Sequence, residues 1–139
     1  MTDFETQFFQ KITFTPGQIK QYFESAERDY AIAAEADIPE VTFKFAYDAL
    51  IKVGIALIAK QGYKVRSQTG HHVKILEKLS EILRDEDIVI MGNVMRQNRN
   101  RDFYDGGVIV TETEARQYAE FVAPIIEQAR QAINYEKAP

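Results

Sequence analysis

The segment from Pro39 to Gln61 constrains this chain most. Phe43, Phe45, Ala46, Ala49, Leu50, Val53, Ile55, Ala56, Leu57 and Ile58 make it apolar around most of a helical circumference. A helix of that kind is buried on several sides, so the rest of the chain must supply elements that cover it. Its alanines and Gly54 permit close helix approach. Pro39 suits a first helical turn, where its missing N–H costs nothing. Gly62 suits the left-handed residue that ends such a helix.

The covering elements follow from periodicity and capping. Thr15 and Pro16 open a helix whose apolar positions, Ile19, Tyr22/Phe23, Ala26, Tyr30 and Ala33/Ala34, recur at three and four up to about Ala36. Residues 3–11 carry Phe4, Phe8 and Phe9 at helix-like spacing and predict a short docking helix. Lys64 to Gly70 reads as a polar loop. A third helix starts near Gly70-His71-His72, with Val73, Leu76, Leu79 and Ile82 as its stripe. Arg84 to Asp87 separates it from a fourth helix that begins with Ile88 and ends at Asp105-Gly106-Gly107. Thr111 and Glu114 form a capping box for the last helix, which runs through Ala115, Val122, Ile126 and Ile133. Pro124 should bend that helix, and Tyr135 to Pro139 should fray. Strand alternation is nowhere sustained. The expectation is an all-α, up-and-down four-helix bundle with a short extra N-terminal helix. It forms a single domain over 1–139, with a core from about 16 to 133.

Composition narrows the chemistry. The 139 residues suit one core. Cys is absent, which excludes disulfides, thiolate metal sites and cysteine nucleophiles. No stretch approaches the roughly 18 consecutive apolar residues of a membrane span. Met1-Thr2-Asp3-Phe4-Glu5 lacks the basic and apolar regions of a signal peptide, so a cytoplasmic location is expected. Net charge is −4, which argues against a nonspecific nucleic-acid coat. Between Lys60 and Tyr104, however, nine Lys/Arg stand against six Asp/Glu. A local basic site on an acidic body fits selective phosphate binding.

That basic surplus peaks in Met95-Arg96-Gln97-Asn98-Arg99-Asn100-Arg101-Asp102-Phe103-Tyr104. On a helix, Arg96, Arg99, Asn100, Phe103 and Tyr104 share one arc, beside the apolar arc of Ile88, Met91 and Met95. Guanidinium groups match phosphate in geometry and charge. None of Arg96, Arg99 or Arg101 has a Glu four residues earlier to pair with. Asp48 lies within the apolar second helix, where a charge needs a partner. Lys52, four residues on, is one candidate; an arginine of the fourth helix is another. Adjacent helical residues diverge by about 100°, so His71 and His72 do not chelate one metal together. They can cap or close the loop before the third helix, or exchange protons. No metal signature, phosphate loop or nucleophile elbow is present, and no cofactor is expected.

The order of these motifs resembles a known family. Ala46-Tyr47-Asp48-Ala49-Leu50-Ile51-Lys52, then Gly62-Tyr63, Gly70-His71-His72 and Arg96-Gln97-Asn98-Arg99-Asn100 with Tyr104 is similar to the HEPN superfamily of higher eukaryote and prokaryote nucleotide-binding domains. The likeness covers roughly Pro16 to Ile133. It implies a four-helix bundle, usually a symmetric homodimer. Many members are metal-independent endoribonucleases, often toxins countered by a small nucleotidyltransferase partner. Their signature is an Arg, usually followed by a polar residue such as Asn, with a His four to six residues after the Arg. Here Arg99-Asn100 matches the first half, and Tyr104 stands where the His is expected. Tyrosine, with a pKa of about 10, exchanges protons poorly at neutral pH. The resemblance therefore implies an RNA or nucleotide phosphate site at Arg96, Arg99, Asn100 and Tyr104. Asp48 would support an arginine, and His71 or His72 would lie at the rim. It implies cleavage less strongly, and it also allows a non-catalytic module that pairs with a nucleotidyltransferase or another protein.

Overall fold

A computed structural model describes residues 3–104 and 110–135. Their order is β1 (Phe9–Lys11), α1 (Pro16–Glu35), α2 (Pro39–Lys60), β2 (Tyr63–Val65), α3 (His71–Leu83), α4 (Glu86–Tyr104) and α5 (Glu112–Tyr135). The architecture is an all-α helical bundle with one small two-stranded sheet. Among the described residues, no helix is long and apolar enough to cross a membrane. The expected helix end at Asp105-Gly106-Gly107 and the fraying of residues 136–139 lie outside the described residues.

The all-round apolar segment is the axis of the bundle. Ala46, Tyr47, Ala49, Leu50, Val53 and Ala56 of α2 are all fully buried. Helices α1, α3 and α5 all pack on it, and α4 packs mainly on α3 with a smaller contact to α2. The local signals read from sequence start the flanking helices. Thr15 accepts from Gln18 N while Gln18 Oε1 accepts from Thr15 N. Thr111 and Glu114 repeat that reciprocal pair ahead of α5. Each box satisfies two backbone donors that a helix start otherwise leaves open. Helix α5 continues through Pro124.

Two glycines bring the helices of the candidate site together. A Cβ on Gly54 would sit 2.4 Å from Ile75 Cγ2, so α2 and α3 approach closely only because none is there. A Cβ on Gly92 would sit 2.7 Å from Leu76 Cδ2, which sets the spacing of α3 and α4. The turn between those helices uses Arg84 at φ 55°, a left-handed conformation for a side-chain-bearing residue.

The N-terminal segment corrects one expectation. Residues 3–11 do not form a docking helix; they run through a turn into β1. Nor is Lys64 in a loop, because Tyr63–Val65 is β2 and pairs antiparallel with β1, Phe9 opposite Val65 and Lys11 opposite Tyr63. The pairing continues beyond the strands, with Ile12 N donating to Gly62 O at 2.9 Å and Arg66 N to Phe8 O at 2.8 Å. The phenylalanines are anchors all the same. Phe9 is buried, and Phe4 stacks on Tyr63 with ring centroids 4.1 Å apart. Buried Lys78 of α3 ties the segment down by donating to the Asp3 carbonyl, and it also donates to Glu81 of its own helix.

Candidate functional site

Three helices each contribute neighbouring side chains to one place. Helix α2 supplies Tyr47 and Asp48, the first turn of α3 supplies His71 and His72, and α4 supplies Arg96 and Arg99. Tyr47 is fully buried, and its hydroxyl lies 2.9 Å from His72 Nδ1. The Arg99 guanidinium carbon sits 5.8 Å from the centre of the Tyr47 ring, within cation–π range. Arg99 Nε is 3.8 Å from Asp48 Oδ1. That is an ion pair but too long for a hydrogen bond. Arg99 Nε is buried and has no hydrogen-bond partner among the described residues.

The electrostatics of the cluster follow from this packing. Burial pushes the Tyr47 hydroxyl up to about 12, although Arg99 and Arg96 pull the other way. Burial also pulls His72 down to about 4, reinforced by His71, Arg99 and Arg96. Removing a group from water disfavours its charged form, and nearby cations disfavour imidazolium further. At neutral pH the Tyr47–His72 pair is therefore uncharged, and the charge is carried by two guanidiniums and one carboxylate. Arg96 Nε is within 3.3 Å of Asn93 Oδ1, and Lys44 Nζ is 3.2 Å from Asp48 Oδ2. The local balance is cationic, with guanidinium donors left over.

The structure sorts the candidates read from sequence. Arg96, Arg99, Asp48 and His72 come together. Asp48 faces Arg99, and Lys52 does not pair with it. Lys52 instead reaches Asp29 of α1 at 2.7 Å and the Ser25 hydroxyl at 2.9 Å. His71 stacks edge-on against His72 at 4.6 Å and donates from Nδ1 to the Gln68 carbonyl at 2.9 Å, which closes the preceding loop. Asn100 and Arg101 are exposed. Asn98, on a different face, donates to the Tyr118 hydroxyl at 2.9 Å and ties α4 to α5. Tyr104 ends α4, and its side chain lies outside the described residues. Tyr47 is the member that motif reading underweighted. The signal was its hydroxyl at a position of α2 that burial leaves without water, which calls for a partner. No group of three His, Cys, Asp or Glu among the described residues is placed to hold a metal ion.

Fold and site together define an all-α bundle that carries an arginine-rich polar cluster against a buried tyrosine–histidine pair. No family model, curated protein or solved structure matches the chain.

Proposed function

We propose that this cluster binds a phosphodiester or nucleotide phosphate, as the likeness to HEPN domains implies, in a protein of the cytoplasm. The observation that carries the reading is Arg99. Its Nε is buried without a hydrogen-bond partner among the described residues, where the one carboxylate it pairs with stands 3.8 Å away. A buried donor without an acceptor is costly, and an anion removes that cost. Arg96 and Arg99 both add to the burial-driven fall at His72 and oppose the burial-driven rise at Tyr47, so the two guanidiniums act on the same pair of side chains.

Binding is better supported than cleavage. In metal-independent RNA cleavage the 2′-hydroxyl attacks the adjacent phosphorus, a base takes its proton, and Arg99 would stabilise the developing charge. His72 at about 4 is a weak base for that step. Incubation of wild type and Arg99→Ala with short labelled RNAs in metal-free buffer separates the outcomes. Anisotropy reads binding and gel analysis reads cleavage. Equal affinity in the two proteins removes Arg99 from the site.

A homodimer is the second part of the proposal, and α4 supports it. Ile90 and Val94 are 61% and 41% exposed, one turn apart on its outer face. Asp87 and Arg101 flank them on that face at equal separation from Val94. Two copies of α4 running antiparallel about Val94 place each Asp87 opposite the other copy's Arg101, the self-complementarity a two-fold interface requires. Val94→Asp should yield a monomer in light-scattering chromatography. The same exposed pair favours the non-catalytic alternative, in which this face docks a nucleotidyltransferase or other protein; co-purification of such a partner with a monomeric wild type would select it.

A further inference from the structure

A cleft of about 260 Å³ opens beside the cluster and shares one wall with it. It is formed where the start of α1, the end of α2, β2 and the first turn of α3 meet. Its lining is mainly apolar and notably aromatic, with Phe14, Tyr22 and Tyr63 among its walls. Phe14 and Tyr22 meet edge to face at 5.6 Å, and Tyr63 is held by its stack on Phe4. The aromatic walls are thus preset. Besides the hydroxyls of Tyr22 and Tyr63, the polar side chains at this cleft are Lys64 and Ser67 of the β2 region and the two histidines.

The two histidines form the shared wall, and His72 is the one that reaches the buried tyrosine. It lines the cleft and also bonds through Nδ1 to Tyr47, the residue over which Arg99 lies. A neutral imidazole that accepts the Tyr47 hydroxyl proton at Nδ1 keeps its own proton on Nε2. Nε2 has no hydrogen-bond partner among the described residues. In that tautomer the cleft offers aromatic surface, an apolar floor and one N–H donor, on a histidine that both guanidiniums act on. Its volume lies just below the usual ligand-pocket range of roughly 300–1,000 Å³, the size for one planar ring system and not an extended molecule.

We propose that the cleft receives the base of a nucleoside monophosphate unit whose phosphate is held by Arg96 and Arg99, with His72 donating to an acceptor atom on the base edge. This rests on the anion reading of the arginine cluster and adds the ring-binding half of the same ligand. The unit is a free nucleotide or the terminal nucleotide of an RNA strand; both present the same base and phosphate. Stacking on aromatic side chains tolerates any base because every base has a π-face.

Calorimetric titration tests the idea with inorganic phosphate, the four nucleoside 5′-monophosphates and a short RNA, on wild type, Ser67→Trp and Arg99→Ala. Ser67 is exposed, so a tryptophan there fills the cleft from its rim without entering the core. The expected result is at least tenfold tighter binding of a monophosphate than of inorganic phosphate. That preference should vanish in Ser67→Trp while its phosphate affinity stays at the wild-type value. Arg99→Ala should weaken phosphate and nucleotide alike. Tighter binding of the RNA than of every mononucleotide, still sensitive to Ser67→Trp, assigns the strand as the source; equal binding assigns the free nucleotide. Monophosphates no tighter than phosphate, or a Ser67→Trp protein that keeps the preference, overturn the cleft and leave the arginine site standing. Absence of binding by phosphate, nucleotides and RNA overturns both.

Discussion

Two arginines of this molecule have the same surroundings at first sight and opposite states. Arg130 on α5 and Arg99 on α4 are similarly exposed, with side-chain accessibilities of 40% and 35%. Each lies over an aromatic ring, Arg130 at 5.9 Å from Phe23 and Arg99 at 5.8 Å from Tyr47. Arg130 is saturated. Its Nη2 and Nε donate to Glu27 Oε2 at 2.7 and 3.1 Å, and its Nη1 donates to Glu127. Those bonds, with Glu27 first, push its pKa further up. Arg99 has one carboxylate at 3.8 Å and a buried Nε with no acceptor among the described residues. The α1–α5 side spends its cation on holding two helices together. The α2–α3–α4 side keeps one in reserve beside a neutral tyrosine–histidine pair. The first arrangement is architecture, and the second is what a site for an anion needs.

The largest expected effect comes from breaking the frame under one of the two arginines. Gly54→Ala places a Cβ 2.4 Å from Ile75 Cγ2 and forces α2 from α3. The 2.4 Å approach to a β-branched side chain puts the cost near the upper end of the ~1–3 kcal/mol of overpacking, against a helix-propensity gain of ~1 kcal/mol, so denaturant unfolding should show a net loss of about 2 kcal/mol. RNA affinity should fall with it, because α2 and α3 carry Tyr47, Asp48 and His72. An unchanged midpoint and affinity would mean that the close approach does not position the site.

Exchanging the roles of the two arginines sharpens the contrast. Arg99→Ala should reduce RNA affinity at least tenfold, about 1.4 kcal/mol, with unfolding stability changed by less than ~0.5 kcal/mol. Arg130→Ala should do the reverse, with a stability loss of about 0.5–1 kcal/mol for its surface pairs and no change in affinity. Both mutants behaving alike in binding and unfolding would erase the distinction.

A smaller effect is pH-dependent. The folded protein binds a proton at His72 only near pH 4, whereas the unfolded chain does so near the ordinary histidine value of 6.5. Between these values the unfolded state holds more protons, so this histidine's contribution is intact above about pH 6.5 and fades as pH falls toward 4. His72→Gln, which can still accept from Tyr47, should flatten the stability profile in that window by roughly 1 kcal/mol, allowing for the ring's partial exposure. Parallel profiles for wild type and variant would show that His72 is not held neutral by its surroundings.

Much of this was legible in the sequence, for identifiable reasons. The capping pairs Thr15–Gln18 and Thr111–Glu114 act within four residues, so local pattern locates both helix starts. The burial of α2 follows from its apolar circumference. The strand pair escaped because each strand is three residues long, too short for alternation to register, and its hydrogen bonds join residues some fifty positions apart. Phe4, Phe8 and Phe9 fit a helical spacing equally well. Helical periodicity alone set Arg96 and Arg99 on one arc apart from Arg101, and the burial of Met95 agrees with the neighbouring apolar arc. Charge on an apolar helix called for a partner at Asp48 but left Lys52 and a fourth-helix arginine equally open; Lys52 is drawn off by Asp29 on α1, a tertiary choice invisible in spacing. The Tyr47 hydroxyl on a buried helix signals that a partner is needed, but that the partner is His72 depends on Gly54 setting the distance between α2 and α3, which nothing local shows.

His72 offers the most direct test, because the chain has only two histidines and His71→Gln leaves one imidazole to follow by NMR. Arg99 and Arg96 help hold His72 at about 4. An RNA phosphate bound between those guanidiniums would offset them and raise the imidazole's pKa in metal-free buffer. The account predicts that upward move at saturating RNA, lost in Arg99→Ala. A His72 titration that RNA leaves unchanged, in a protein that still binds the RNA, would place the anion elsewhere and contradict it.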